Sequence, residues 1–228
     1  MMNTQQLTQV SEDLDGKSPD YVIDWAVETL GNRLAVGSSL GAEAMVIMDM
    51  VTRIKPDVPF IFLDTDFHFA DTLGLLDEAK KRYNINLIVA RPELTPAEQA
   101  AKHGEQLFFR DPGQCCEIRK LAPMRKALVP FDAWITGMRR DQNTFRTNLG
   151  PVVWDEKFNL IKINPLINWS WGDVWQYIKA NDVPYNRLHD IGYPSIGCAP
   201  CTQPVKPGED LRAGRWSGFD KTECGLHK

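Results

Sequence analysis

No stretch of the 228-residue sequence is apolar for long enough to span a bilayer. The opening 17 residues are polar and have no apolar core of the kind that export needs. These two absences exclude a helical membrane protein and predict a cytoplasmic one. Positive charge is not in excess: 26 Lys and Arg stand against 30 Asp and Glu, a net charge of −4. Bulk electrostatics therefore argue against nonspecific binding of nucleic acid. Cysteine is scarce, and its count of five is odd, which argues against a disulfide framework and for a reducing cytosol. No internal repeat or low-complexity segment is present. Apolar content of 43% and charged content of 25% are ordinary for a globular chain, and the length suits one large domain with or without an appendage.

The cysteines that are present fall into a pattern. Cys198-Ala199-Pro200-Cys201 forms a CxxC on a Gly/Pro turn, which aims two sulfurs at one point. Cys115-Cys116 is a vicinal pair far upstream, and Cys224 stands apart near the end. The bland readings are a redox pair or two buried thiols. Zinc is the metal rival, because Cys₄ zinc sites are common. Adjacent side chains diverge on either a helix or a strand, so a vicinal pair suits the separate corners of an iron–sulfur cube better than one small ion. The residues alone leave these alternatives open, with a partition of four ligands and one free nucleophile.

Taken in order, the chain predicts a polar lead-in, helical in part, and then a helix with Ser18 as N-cap, Pro19 in its first turn and Gly31 at its end. A buried strand over 33–36 runs into Gly37-Ser38-Ser39-Leu40-Gly41-Ala42-Glu43, followed by helix over 44–54. Strand, Gly/Ser turn and helix together offer backbone N–H groups to an anion, although a Walker Lys and a GxGxxG are both absent. Strands over 59–63, 86–90 and 133–136 alternate with helices over 70–83, from 95, and over 115–128. This predicts an α/β fold, a mostly parallel open sheet with helices on both faces. Asp64-Thr65-Asp66 and Arg139-Arg140 follow strands, at the edge where such sheets bind ligands; Asp66 or Asp71 is alternatively a helix cap. Two basic residues on a helix, Arg119 and Lys120, are ordinarily a solvated face, but beside thiolates they would offset charge. A hairpin around Asp155-Glu156-Lys157 and a helix over 173–180 follow, and the Trp/Tyr cluster there is expected in the core. The organisation expected is an α/β domain over 1–207 and a polar, mobile tail over 208–228 carrying Cys224.

From about Leu34 to His227 these residues resemble the assimilatory adenylyl-sulfate and phosphoadenylyl-sulfate reductases. The likeness is carried by Ser38-Ser39-Leu40-Gly41-Ala42-Glu43, Cys115-Cys116-x-x-Arg119-Lys120, Thr136-Gly137-x-Arg139-Arg140-Asp141-Gln142 and Gly197-Cys198-x-x-Cys201. It closes with Arg212-Ala213-Gly214-Arg215-Trp216 and Glu223-Cys224-Gly225-Leu226-His227. The resemblance implies an adenine-nucleotide alpha-hydrolase-like fold and one [4Fe-4S] cluster on Cys115, Cys116, Cys198 and Cys201. It implies Cys224 as nucleophile, attacking adenylyl sulfate so that AMP leaves, and thioredoxin or a similar dithiol then releasing sulfite. The phosphosulfate loop of Ser38, Ser39, Leu40, Gly41, Ala42 and Glu43 is expected to bind substrate with Lys120, Arg139, Arg140, Arg212, Arg215 and His227.

The sequence departs from the family pattern twice, with Ala44 where an aspartate is usual and Asp66 where a glycine is more common. The resemblance implies, through the four cluster cysteines, the nucleotide without a 3′-phosphate, and no basic group visible near Asp64-Thr65-Asp66 speaks for a site that would bind that phosphate. Rivals are a reductase of the 3′-phosphorylated nucleotide or of both, a tRNA-thiolating ATP pyrophosphatase, and a zinc-stabilised nucleotide sensor. The pyrophosphatase would need a Ser-Gly-Gly-x-Asp-Ser loop, which is absent. Self-association is left open.

Overall fold

Alternation of apolar side chains within short strands sets the architecture. In the computed structural model, which describes residues 2–219, 221, 225 and 226, the strands are β1 (Leu34–Ser38), β2 (Pro59–Leu63), β3 (Asn86–Ala90), β4 (Ala133–Ile135), β5 (Val152–Asp155) and β6 (Leu160–Ile163). They form one sheet in the order β3-β2-β1-β4-β6-β5, parallel except for the β5–β6 hairpin. Leu34, Val36, Phe60, Phe62, Ala133 and Ile135 face the larger apolar layer, while Ala35, Ile61 and Trp134, one residue out of step, face a smaller one.

The larger layer is covered by α1 (Thr4–Leu14), α2 (Pro19–Leu30), α3 (Ala42–Ile54), α4 (Ala70–Tyr83) and α9 (Trp171–Ala180). On the other face, Met124 and Leu128 of α8 (Ala122–Leu128) pack on Trp134. The helices on both faces follow from these two stripes, as expected. Side chains cap the starts of most of these helices: Asn3 for α1, Ser18 for α2 and Ser170 for α9, with Thr95 capping α5 (Pro96–His103). Neither α3 nor α4 has a side-chain cap. Asp66 and Asp71 are therefore not caps: Phe69 holds the cap position of α4, and Asp71 lies inside its first turn.

Several boundaries differ from the sequence reading. Gly37 and Ser38 belong to β1, and Ala42 and Glu43 to α3, so the turn between them is only Ser39-Leu40-Gly41. The cysteine pair closes a helix instead of opening one. After α6 (Leu107–Arg110), α7 (Pro112–Cys116) leads into a π-helical turn over Glu117–Leu121 and then α8. Pro123 has no N–H to donate and its ring crowds the carbonyl four residues back, which the widened turn relieves. That turn buries Arg119, Lys120 and Leu121 together. The half-buried Trp169, Trp171, Trp175 and Tyr177 pack against the larger layer, as expected of core aromatics.

Residues 208–219 do not simply project from the body. Thr202 bridges Arg215, the Trp216 N–H donates to the Cys201 carbonyl (3.1 Å), and Trp216 is 3% exposed. Among the described residues no helix is long and apolar enough to cross a membrane.

Candidate active site

The strand order reverses between β1 and β4, and a cleft of about 220 Å³ opens beyond their carboxyl ends. Its first wall is the turn after β1. The N–H groups of Leu40 and Gly41 reach only long contacts of 3.4 Å to the hydroxyls of Ser38 and Ser39, and α3 begins uncapped at Gly41. Weakly held N–H groups at a helix N-terminus are a place for an anion. Ser38, Ser39, Gly41, Ala42 and Glu43 line the cleft; Leu40 is 1% exposed and turns into the core.

A carboxylate in the first turn of α3 would repel an anion, but Glu43 is neutralised. Arg139, itself 2% exposed, holds it at 3.0 Å, and the Gln142 amide donates to it at 2.8 Å. Arg139 also pairs with Asp141 and lies over the Trp171 ring. Its neighbour Arg140 goes elsewhere. It bonds Asp15 (3.0 Å), the Leu149 carbonyl (2.8 Å) and Asn168, tying α1 to the body and away from the cleft. Of the two arginines expected at the substrate, one therefore organises the turn and the other is not brought to the site.

The second wall belongs to the cysteines. Cys115, Cys116, Cys198 and Cys201 line one small cavity with Phe67, Arg119, Lys120 and Trp216, and the four are not in disulfides. Burial and the other three sulfurs push the Cys115 thiol up to about 11; burial and Cys198 do the same to Cys201. Burial alone would raise Cys198 as well, but the Lys120 ammonium, the Thr65 hydroxyl (3.3 Å) and the Arg215 guanidinium hold it below the usual thiol range. Among the described residues no group of three or more His, Cys, Asp or Glu converges on the spacing of a single metal ion. Four soft donors around one cavity, ringed by cations, are nonetheless a donor set that fits an iron–sulfur cluster.

Lys120, Cys198 and Trp216 line both the cavity and the cleft, so the two share a wall. Arg212 and Arg215 line the cleft beside them. Arg215 crosses the CxxC turn so closely that a Cβ on Gly197 would lie 2.2 Å from its guanidinium, so a larger residue there would have to push that side chain aside. Leu226 lines the same cleft, whereas Glu223, Cys224 and His227 lie outside the described residues.

The structure also answers the question of Asp66. It sits in the left-handed region with φ of 58°, where glycine is the easier residue, and it pairs with Arg119 at 2.9 Å. Asp64 likewise pairs with Arg91 at 3.0 Å. Basic groups are thus present beside Asp64 and Asp66, contrary to the sequence reading, and both are engaged by those carboxylates. Ala44 is buried in α3 at the cleft wall. Sequence reasoning quoted Thr65 and Gln142 within motifs without giving either a role, read Trp171 only as core, and passed over Arg146 and His189; all five line the cleft. For Gln142 the signal was available, three residues after Arg139 in a post-strand loop; for His189 there was none.

The pattern of the phosphoadenosine phosphosulfate reductase domain matches residues 33–204. A Halalkalibacterium halodurans protein named adenosine 5′-phosphosulfate reductase is 50% identical over 223 residues, 97% of this chain and 96% of that protein. Adenosine 5′-phosphosulfate reductase 1 of Bacillus subtilis is 47% identical over 218 residues, 95% of this chain and 94% of that protein. Among solved structures, phosphoadenylyl-sulfate reductase from Candida auris, in a phosphate complex, superposes with a TM-score of 0.79 at 33% identity, covering 90% of this chain and 98% of that one. Candida glabrata FMN adenylyltransferase shares the fold, with a TM-score of 0.61 at 15% identity over 90% of this chain and 67% of that one.

Proposed function

Because the chain belongs to the phosphoadenosine phosphosulfate reductase family, we propose that it is an oxidoreductase that converts adenosine 5′-phosphosulfate to sulfite and AMP. Its relatives at 45–50% identity carry that activity in their names. The observation that carries the reading is the wall shared by an anion-ready cleft and a four-cysteine cavity, formed by Lys120, Cys198 and Trp216.

The uncapped N-terminus of α3 and the Ser38–Ser39 turn receive the phosphosulfate oxygens, while Lys120, Arg212 and Arg215 supply positive charge beside them. Cys224 is the nucleophile. Its thiolate attacks the sulfate sulfur, a sulfur–sulfur bond forms, and the bridging S–O bond breaks with its electron pair going to AMP. One thiolate of thioredoxin or a similar dithiol then attacks Cys224 sulfur, and sulfite departs with the bonding pair. The second thiol resolves the mixed disulfide, so the two electrons gained by sulfur come from the dithiol. Cations along the cleft steady charge on both leaving groups.

Cys115, Cys116, Cys198 and Cys201 would hold a [4Fe-4S] cluster. When bound, it ties the helix carrying Lys120 to the CxxC turn and sets the local charge. The preferred nucleotide lacks the 3′-phosphate, because Arg91 and Arg119 are engaged by Asp64 and Asp66. The test is sulfite release with thioredoxin on both nucleotides, together with intact mass of the enzyme given substrate and no reductant. One sulfonate on the C-terminal peptide is expected in the wild type and none in Cys224→Ser. Absence of sulfite with either nucleotide overturns the activity, and a higher kcat/KM for the 3′-phosphorylated form overturns the preference.

A further inference from the structure

Of the eight residues of α5, Gln99 is the one that is buried, at 3% exposed. A leucine would fill such a position readily, whereas a buried amide gives up its water and has to find partners inside. The Gln99 side chain finds one. Its amide N–H donates to the Cys115 Sγ at 3.9 Å, and its carbonyl oxygen has no partner among the described residues. A ligating thiolate only accepts, so the nitrogen and not the oxygen has to face the sulfur. The helix is aimed before that contact forms. Thr95 and Glu98 close a capping box, at 2.8 and 3.2 Å, and Gln99 follows it directly.

The sulfurs are served from different sides. Cys198 lines the cleft as well as the cysteine cavity and meets the Thr65 hydroxyl at 3.3 Å. Cys115 lines the cavity but not the cleft, and Gln99 meets it from α5. We infer that Gln99 is a positioning residue for the cluster, whose amide holds the Cys115 ligand sulfur and guards the cluster against oxidation. The inference rests on the proposed ligation by the four cysteines. Partners of a ligand orient it, and hydrogen bonds to the sulfurs are one lever on a cluster's potential. A donor on sulfur favours the more negative, reduced state over the oxidised one, so an electron is harder to remove. Burial strengthens that bond, because the surrounding dielectric is low.

The experiment uses the protein purified without air, with its iron. Gln99→Leu and Gln99→Met fill the site without a donor, and Gln99→Glu keeps the shape but sets a carboxylate against the sulfur. Ferricyanide takes an electron and the cluster breaks down. That bleaching, followed by visible absorption, should be several-fold faster in Gln99→Leu and Gln99→Met and fastest in Gln99→Glu. Iron loss to a chelator should stay at the wild-type rate in the first two, whose packing is kept. Resonance Raman after reconstitution in deuterium oxide should show an iron–thiolate stretch that shifts in wild type and no longer shifts in Gln99→Leu. Equal acceleration of bleaching and chelation would mark a packing residue and overturn the inference. So would wild-type bleaching, an unchanged deuterium shift, or loss of iron from both apolar variants. Iron-free wild type would overturn the cluster and this inference together, whereas the other failures leave the cluster standing.

Discussion

The two ends of the cleft are built on opposite electrostatic plans. Beside α3, charge is answered by charge: Glu43 is held by Arg139 and Gln142, and Arg139 by Glu43, Asp141 and the Trp171 ring. At the other end four thiols are crowded together, and burial with mutual repulsion pushes Cys115 and Cys201 up to about 11. Protein atoms alone complete the first end. At the second, Lys120 and Arg215 lower Cys198 from outside, while Cys115 and Cys201 would need a bound positive centre to become thiolates. The contrast implies that the α3 turn and the cysteine cavity are separable units, and single substitutions should separate them.

The largest effect is expected at the cysteine end. Wild type purified without air should carry about four irons and four sulfides per chain. Cys198→Ala should lose them, with a stability loss of several kcal/mol, because ligand removal uncouples cluster binding from folding. Iron and acid-labile sulfide analysis with thermal unfolding checks both. Zinc as the sole metal, or a full iron complement in the variant, would erase the contrast.

Next in size is the protein-only end. Arg139→Met leaves Glu43, 16% exposed at its side chain, without its buried partner, which should cost about 3–5 kcal/mol. Adding Glu43→Gln should recover part of that loss. Iron content should stay at the wild-type value, measured beside urea unfolding. Loss of iron in Arg139→Met would show that the two ends are one unit.

Most of the framework was legible from sequence because strand and helix periods are local. The parallel strands, the Ser18 and Thr95 starts and the β5–β6 hairpin lie where the pattern puts them. What failed was direction. Arg139 and Arg140 are adjacent and chemically alike, and only tertiary packing sends one to Glu43 and the other to Asp15. The π-turn was hidden because one proline, Pro123, reshapes a helix whose apolar spacing still reads as regular. His189 was invisible because its 3₁₀ segment has no motif and approaches the cleft from far along the chain. The segment after 208 reads as polar and loose by composition, yet its Trp216 packs against the CxxC turn.

The two arginines give the third prediction. Arg140 and Asp15 are partly exposed, at 30% and 45% of their side chains, so Arg140→Ala should cost only about 1 kcal/mol through the loosened α1. The KM for adenosine 5′-phosphosulfate should not change, because the guanidinium does not reach the cleft. A raised KM with unchanged unfolding would return Arg140 to the substrate.

The smallest expected effect tests the protein-only end by acid. Burial holds the His189 ring below the ordinary histidine range, against the opposing pull of Glu43, the Tyr193 carbonyl and Asp190. His68 is lowered for the same first reason, burial, with the Leu63 carbonyl opposing. A depressed folded pKa means that the neutral ring is the one the fold accepts. Above about pH 6.5 both the folded and unfolded rings are neutral, and the full stability is present. As pH falls below that value, the unfolded chain takes up protons that the folded rings resist, and stability is lost. Each histidine can contribute a slope of at most about 1.4 kcal/mol per pH unit. His189→Gln should therefore flatten, without abolishing, the loss of stability between pH 6.5 and 5, since His68 remains. Urea unfolding at pH 7.5, 6.0 and 5.0 measures the slope in both proteins. An unchanged slope would mean that the His189 ring takes up its proton as readily folded as unfolded, and that the rim beside Glu43 is open to solvent charge.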